Sequence, residues 1–456
     1  MDVIGVQQPE SRLTYSIKIF SHHLADRASE GKFRYTVAYN AVFLDDSADP
    51  IQRKLMATSD FHRKITTRKV LIAHQSTIPH YRVPFYEAVT RLRPSWWDFG
   101  VVFDESPNRR QKVFIELVDA RRFGFKIIPT RTVFLNLFGN RALFQTFVRR
   151  AGRYDLMVLE DAFHNLSYPI ARFWRSRGTA IAYWGHGKDT SVDQAVGWKR
   201  IAEKLKRHWA RNCEGYFAYT EGVRDVLAEN GVDSSKIHVL NNTIDIVAER
   251  TAYESLIEQR SELRQAAGLA GQKVLLFVGR LNEGKRLNFL GETVQELRRT
   301  KPEYHLVVIG GGEQSIIEAL RQMLGEEGVT YCGVIVERSR LAEWYVLSDA
   351  YVFPGDVGLG VVQSLCYDLT PVVVDRKTHN PEYEYLGDHN SVVVRAQASP
   401  TDYGIKIDGL CSDRALWERY RESAWPSIRH LTIDGMAQRF VDGVSKILRM
   451  AQEPTA

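Results

Sequence analysis

Residues 353–374 read FPGDVGLGVVQSLCYDLTPVVV, from Phe353 to Val374. The stretch divides into an apolar strand end, a Pro-Gly turn, a glycine-bearing loop, a helix and a second apolar strand. A strand followed by a glycine loop and a helix points helix-end amides at a phosphate. Strands alternating with helices predict a parallel sheet with helices on its faces.

The same pattern extends outward on both sides. KVLLFVGRL (Lys273–Leu281), YHLVVIGGG (Tyr304–Gly312), VTYCGVI (Val329–Ile335), DAYVFPG (Asp349–Gly355), TPVVVD (Thr370–Asp375) and NSVVV (Asn390–Val394) are short β-branched runs bounded by glycine or proline. The first half repeats the architecture in KVLIAHQ (Lys69–Gln75), WDFGVVFD, FKIIPT, YDLMVLED (Tyr154–Asp161), TAIAYWGHG (Thr179–Gly187), YFAYTEGVRDVLAENG and KIHVLNNTID. Residues 246–270 read as a connecting segment and helix, and the tail from about Leu416 to Leu448 as helical. Residues 1–67 fit a small extension, an added hairpin on the first domain, or a misplaced start codon, and their pattern does not choose. The expected fold is α/β, with two doubly wound Rossmann-like domains facing across a cleft. Ligands of such sheets sit beyond the C-terminal strand ends.

A chain of 456 residues is too long for one core and suits two such domains. Charged residues are 25% and apolar residues 44%, an ordinary globular composition that excludes disordered and fibrous classes. The net charge of +6 suits a phosphate-bearing ligand or an anionic surface without demanding either. The four cysteines, Cys213, Cys332, Cys366 and Cys411, are widely spaced and form no CxxC pair, which points to reduced thiols in a cytosolic protein. No run of about 18 apolar residues predicts a membrane span, and the N-terminus lacks a signal-peptide pattern.

Chemistry gathers at the strand ends. Gly279 closes one strand, and Arg280 and Lys285 follow it five residues apart, two cations suited to a diphosphate. Gly310, Gly311 and Gly312 end the next strand and allow close backbone approach, or a tight turn. Gly333, Val334 and Ile335 stand where backbone groups read a base edge, and Asp356 precedes the run of amides at Val357, Gly358, Leu359 and Gly360. Together these strand ends fit a nucleotide with a diphosphate. In the first half His186 lies between two glycines after a strand, placed to bond a sugar or phosphate, or simply a loop partner. His80, Tyr81 and Arg82 occupy the first strand–helix loop, where Arg82 meets either an acceptor phosphate or a nearby carboxylate. Glu160, Asp161 and His164 follow another strand, as cleft residues or as helix caps.

These segments resemble the retaining nucleotide-sugar glycosyltransferases of group 1, family 4-like, which have the GT-B fold. The resemblance runs from about Lys69 to the C-terminus and is strongest from Gln272 to Glu382. IPHYRVPFYEAV and YWGHG resemble loops of a subgroup found in bacterial surface-polysaccharide synthesis. The resemblance implies that Arg280 and Lys285 hold the donor diphosphate, that Gly333 to Ile335 line the base, and that His186 contacts the donor sugar near the reacting carbon. Gly279, Gly311, the Asp356–Leu359 loop and Glu382 would complete the donor site, with His80, Tyr81, Arg82 and Glu160 on the acceptor side. No metal or other cofactor is expected.

The family's two-glutamate motif falls on Asp356 and Ser364 when counted back from Pro371. The first position keeps a carboxylate and the second has lost it, leaving Gln363 or Ser364 for the ribose. A second register, matching the glycines to Gly358 and Gly360, puts Val357 and Leu365 there instead. The first is preferred because it faces polar groups into the cleft. Loss of one ionised acceptor would weaken donor binding by ~1–3 kcal/mol and leave catalysis to the cations.

The expected domains are 1–67, an extension; 68–245, the acceptor domain; 246–425, the donor domain; and 426–456, a helix crossing back to the first domain. The expected function is sugar transfer to a polysaccharide or lipid-linked acceptor, without nucleic acid. The alternatives are a non-catalytic GT-B subunit or a sugar-nucleotide epimerase that uses Glu382 and Asp356. Residues 195–212, AVGWKRIAEKLKRHWARN, read as a basic amphipathic helix. Lys199, Arg200, Lys204, Lys206, Arg207 and Arg211 form its polar side, and Trp198, Ile201, Leu205 and Trp209 recur at helical spacing. Such a helix packs on a core or lies on an anionic membrane. The expected location is the cytoplasm, at the inner face of the plasma membrane.

Overall fold

The computed structural model describes residues 67–451, except 74–77, 105–122, 138–139, 162–164 and 188–197. His164 and the 1–67 extension, apart from Thr67, therefore lie outside the described residues.

The first domain is built on β1 (Arg68–Ala73), β2 (Trp97–Asp104), β3 (Lys126–Thr130), β6 (Leu156–Glu160), β7 (Ala180–Gly185), β8 (Gly215–Ala218) and β9 (Ile237–Val239). These seven strands form one parallel sheet in the order β3-β2-β1-β6-β7-β8-β9. Two further strands, β4 (Thr132–Leu137) and β5 (Asn140–Gln145), form a separate antiparallel pair. The second domain is built on β10 (Lys273–Val278), β11 (Tyr304–Ile309), β12 (Val329–Tyr331), β13 (Ala350–Phe353), β14 (Pro371–Val374) and β15 (Val392–Val394). These six strands are parallel in the order β12-β11-β10-β13-β14-β15. Central strands read as unbroken apolar runs because helices cover both faces. Val70 to Ala73 and Val274 to Phe277 are fully buried.

Each sheet has its own core. The first draws on residues from Val70 to Leu240 and again from Ile433 to Leu448, and the second on residues from Ile244 to Leu431. The chain therefore crosses between domains twice. On the return crossing Thr432 accepts from Gly435 N at 3.0 Å and starts the helix Ile433–Met450. Phe440 of that helix meets Phe85, Trp184 and Phe217 at ring-centroid distances of 5.4, 5.6 and 4.6 Å. The helix fits closely because Gly443 has no side chain. A Cβ there would lie 2.6 Å from Phe217 and 2.9 Å from His238.

Two loops at the ends of β10 and β11 touch through their backbones. Gly279 N donates to Ile309 O at 2.9 Å, Leu281 N to Gly311 O at 2.9 Å, and Glu313 N to Leu281 O at 3.0 Å. Gly310 and Gly312 have φ of 143° and 152°. A Cβ on Gly310 would stand 1.8 Å from Gly279 O, and one on Gly312 2.1 Å from Leu281 O. The glycine run thus lets one strand-end loop lie against another. Gly310→Ala is expected to separate these loops and lower the urea midpoint, whereas Gly409→Ala, at an exposed position of the helix Pro400–Ser412 with open space around it, is expected not to lower it. An unchanged midpoint for Gly310→Ala would contradict the packing.

His238 is held under the C-terminal helix. Burial, then the nearby Lys446, pushes its pKa down to about 4 from 6.5. The folded state holds His238 neutral while the unfolded chain protonates below about 6.5. Stability tied to this group is complete above pH 6.5 and is lost as pH falls from there toward 4. Urea midpoints measured from pH 7.5 to 4.5 should fall more steeply for the native chain than for His238→Gln; parallel curves would refute the assignment.

Candidate functional site

Both sheets reverse their strand order at one place, between β1 and β6 in the first and between β10 and β13 in the second. Loops leaving neighbouring strands at such a point diverge and open a crevice. A cavity of ≈ 550 Å³ lies there, lined by both domains. The first domain contributes His80, Tyr81, Arg82, His186 and Tyr219 to its wall. The second contributes strand-end residues that include Gly279, Arg280, Gly311, Val334, Ile335, Gly358 and Leu359, together with Glu382. A second hollow of ≈ 470 Å³, between Leu92–Pro94 and the C-terminal helix, holds none of these strand-end residues.

The β10 loop splits the expected cation pair. Arg280 is exposed on the cavity wall. Lys285 is not on that wall. Its Nζ donates to Asp356 O and lies 4.9 Å from the centre of the Phe353 ring. Burial lowers the Lys285 pKa, with the Asp356 carboxylate opposing and Arg280 adding to the fall.

The Phe353–Val374 stretch folds as a strand, loop, helix and strand, but its polar register differs from both counts. The helix Gly360–Cys366 presents Gly360 and Gln363 to the cavity, three residues apart and on one face. Ser364 is fully buried, and its hydroxyl donates to Val361 O at 2.9 Å. It cannot meet a ribose, and a glutamate there would enter packed interior. Val357 and Leu365, the other register, are also buried. Asp356 lies beside the cavity rather than on its wall. It accepts from the Thr378 hydroxyl and pairs with Arg376 at 3.5 Å.

On the first domain, His186 stands on a loop that two glycines make possible. A Cβ on Gly185 would lie 2.5 Å from Asp161 Cβ, and Gly187 has φ of 68°. The His186 ring is exposed and packs edge-on against Tyr219 at 4.5 Å. Glu160 ends β6 off the cavity wall. Asp161 accepts from the Tyr216 hydroxyl and pairs with Lys206 at 3.2 Å. It is a structural partner rather than a helix cap.

Arg82 is buried at 2% exposure. Its guanidinium lies 5.3, 5.4 and 5.8 Å from the ring centres of Trp184, Tyr81 and Tyr219. Nη2 donates to Asn242 Oδ1 at 2.5 Å, and Asn242 Nδ2 donates in turn to Glu382. Arg82 therefore reaches a carboxylate through an amide. Burial raises the Glu382 pKa, and the Asn242 bond and the Arg82 charge moderate the rise. The neighbouring Glu384 accepts from Thr220 Oγ1 at 2.7 Å and Gly222 N at 2.9 Å, so residues 381–385 tie the second domain to the first.

Several wall residues carried no strand-end signal. Asn242 and Asp245 lie in the NNTID segment, Glu249 in what reads as a connector, and Arg338 in the helix Arg338–Leu347. Glu249 accepts from Arg338 Nε at 2.9 Å, Tyr367 OH at 2.7 Å and Gln363 Nε2 at 3.1 Å. The helix Trp198–Arg211 also departs from its wheel. Leu205, on the expected packed stripe, is 36% exposed, while Lys206, on the expected polar side, turns inward to Asp161. Trp209 is half-buried beneath the Arg172 guanidinium at 5.4 Å.

Residues 85–247 match the family described as Glycosyltransferase Family 4, and residues 272–413 match Glycosyl transferases group 1. D-inositol 3-phosphate glycosyltransferase of Xylanimonas cellulosilytica is 27% identical over 229 residues, 49% of this chain and 54% of that protein. The chain thus matches about half the length of this relative. Anabaena HepE, solved with UDP and glucose, superposes with a TM-score of 0.62 at 14% identity, over 83% of this chain and all of that one. A putative UDP-N-acetylglucosamine 2-epimerase from Listeria monocytogenes superposes at 0.57 with 13% identity, over 85% and 98%. At such identities the superpositions speak for the fold alone. The two sheets and the cavity between them have the GT-B arrangement, and one segment in each domain matches a glycosyltransferase family.

Proposed function

We propose that the protein transfers a sugar from a nucleoside-diphosphate sugar to a saccharide or lipid-linked acceptor, with retention at the anomeric carbon, in cell-surface polysaccharide synthesis. The observation that carries the reading is the cavity at both switch points, where Arg280 and the Gly358–Gly360 backbone face Arg82 and His186. The matched families and the named relative's glycosyl transfer support it, as do UDP and glucose in the Anabaena neighbour.

In this reading the bond from the anomeric carbon to the diphosphate oxygen breaks, and that oxygen keeps the electron pair. The acceptor hydroxyl oxygen bonds to the same carbon, and its proton passes to the departing diphosphate. Charge grows on the diphosphate, so Arg280 stabilises the transition state more than the ground state, with Lys285 behind it. His186 orients the sugar. No residue here requires a metal for these roles.

Slow hydrolysis of a panel of nucleotide sugars tests the reading, with release of nucleoside diphosphate as the signal. One donor class should be hydrolysed, and Arg280→Ala should reduce its release by roughly 10²–10³-fold. A panel with no bound and no hydrolysed member would refute it. For the acceptor side we propose contact with an anionic membrane through the helix Trp198–Arg211, where Lys204, Leu205, Arg207 and Arg211 are exposed. No helix among the described residues is long and apolar enough to cross a membrane. The chain should float with vesicles containing anionic lipid at low salt and detach at high salt; absence of flotation at low salt would refute the contact.

A further inference from the structure

We propose that the ribose of the donor nucleotide is held by Gln363 and Glu249 together, so that the helix Ile246–Leu256 supplies the carboxylate missing from the glycine-loop helix. This rests on the nucleotide-sugar reading above and names how one part of that ligand is recognised. Both residues line the cavity, as do Val334, Ile335 and Arg338, and Arg338 bonds to Glu249. From Val361 to Tyr367, Gln363 is the one residue that is not buried.

The hydrogen-bond count leaves a defined opening. The Gln363 amide is held at both ends. Its Oε1 accepts from Tyr345 OH at 3.2 Å, and its Nε2 donates one hydrogen to Glu249 Oε2 at 3.1 Å. The second Nε2 hydrogen has no partner among the described residues. Glu249 Oε2 also takes Tyr367 OH, while Oε1 takes Arg338 Nε alone. A carboxylate has about four acceptor sites, so Oε1 keeps one. A free donor therefore stands next to a free acceptor. A vicinal diol offers the matching pair, since each hydroxyl both donates and accepts. Glu249 itself is 7% exposed, and its ties to Arg338 and Tyr367 fix its geometry before any ligand arrives.

The purified full chain is titrated calorimetrically with UDP, GDP and ADP, and the tightest binder is compared with its 2′-deoxy and 3′-deoxy forms. The native chain should prefer the ribonucleotide over at least one deoxy form by roughly tenfold. Gln363→Ala and Glu249→Gln should abolish that preference while holding the deoxy affinity within about twofold. If a variant weakens ribo and deoxy forms equally, Glu249 only braces the domain and the proposal falls. If the native chain binds a nucleotide but ignores the missing hydroxyl, the proposal falls and the nucleotide site stands. If no nucleotide binds the native chain, the nucleotide reading itself falls, and the ribose contact with it. Should Glu249→Gln unfold, Gln363→Ala and Gln363→Leu, at a position that is not buried, carry the same comparison.

Discussion

A guanidinium buried between two domains must be compensated, and the way Arg82 is compensated organises this protein. Its charge is enclosed by Tyr81, Trp184 and Tyr219 and bonded to Asn242, which bonds to Glu382. The participants come from the loop after β1, strand β7, the end of β8, the interdomain crossing and the second domain. Nη1 also lies 3.7 Å from Met436 Sδ on the returning helix. Leaving a buried charge without partners is costly, so each of these elements is constrained by the others. The cavity inherits its shape from the same contacts, because Arg82, Asn242 and Glu382 are all on its wall.

The division of labour between the domains follows. The second sheet offers backbone and the exposed Arg280 at adjacent strand ends, a surface suited to an extended anionic ligand. The first sheet offers rings and a histidine. Neither face alone encloses a ligand, and the 381–385 segment ties them together through Glu384. Glu382 and Lys285 share one physical condition, in that burial disfavours the charged form of each. A ligand that brings charge into the cavity changes the balance for both.

Much of the architecture was legible because parallel strands covered on both faces must be apolar throughout. The runs in the second half named every strand of that sheet, and the glycines at their ends named the loops. The β4–β5 pair was missed because it lies outside both parallel sheets and breaks the strand–helix alternation, with Val133 and Leu135 exposed. The carboxylate count failed for another reason. Spacing along the chain ranks Asp356 and Ser364 by distance from Pro371, but which side of a short helix faces the ligand depends on where that helix begins. It begins at Gly360, which turns Gln363 outward and Ser364 in.

By itself, the sequence determined two doubly wound sheets, their strand-end loops and a helical tail, because hydrophobic period and glycine placement are local properties of the chain. It also determined which residues stand at the strand ends, Arg280 and His186 among them. Only the tertiary structure decided which polar groups share the cavity. Glu249 comes from a helix that reads as a connector, and Asn242 joins Arg82 to Glu382 across separations of 160 and 140 residues. Contacts of that range follow from how two cores pack, and no spacing within a motif encodes them.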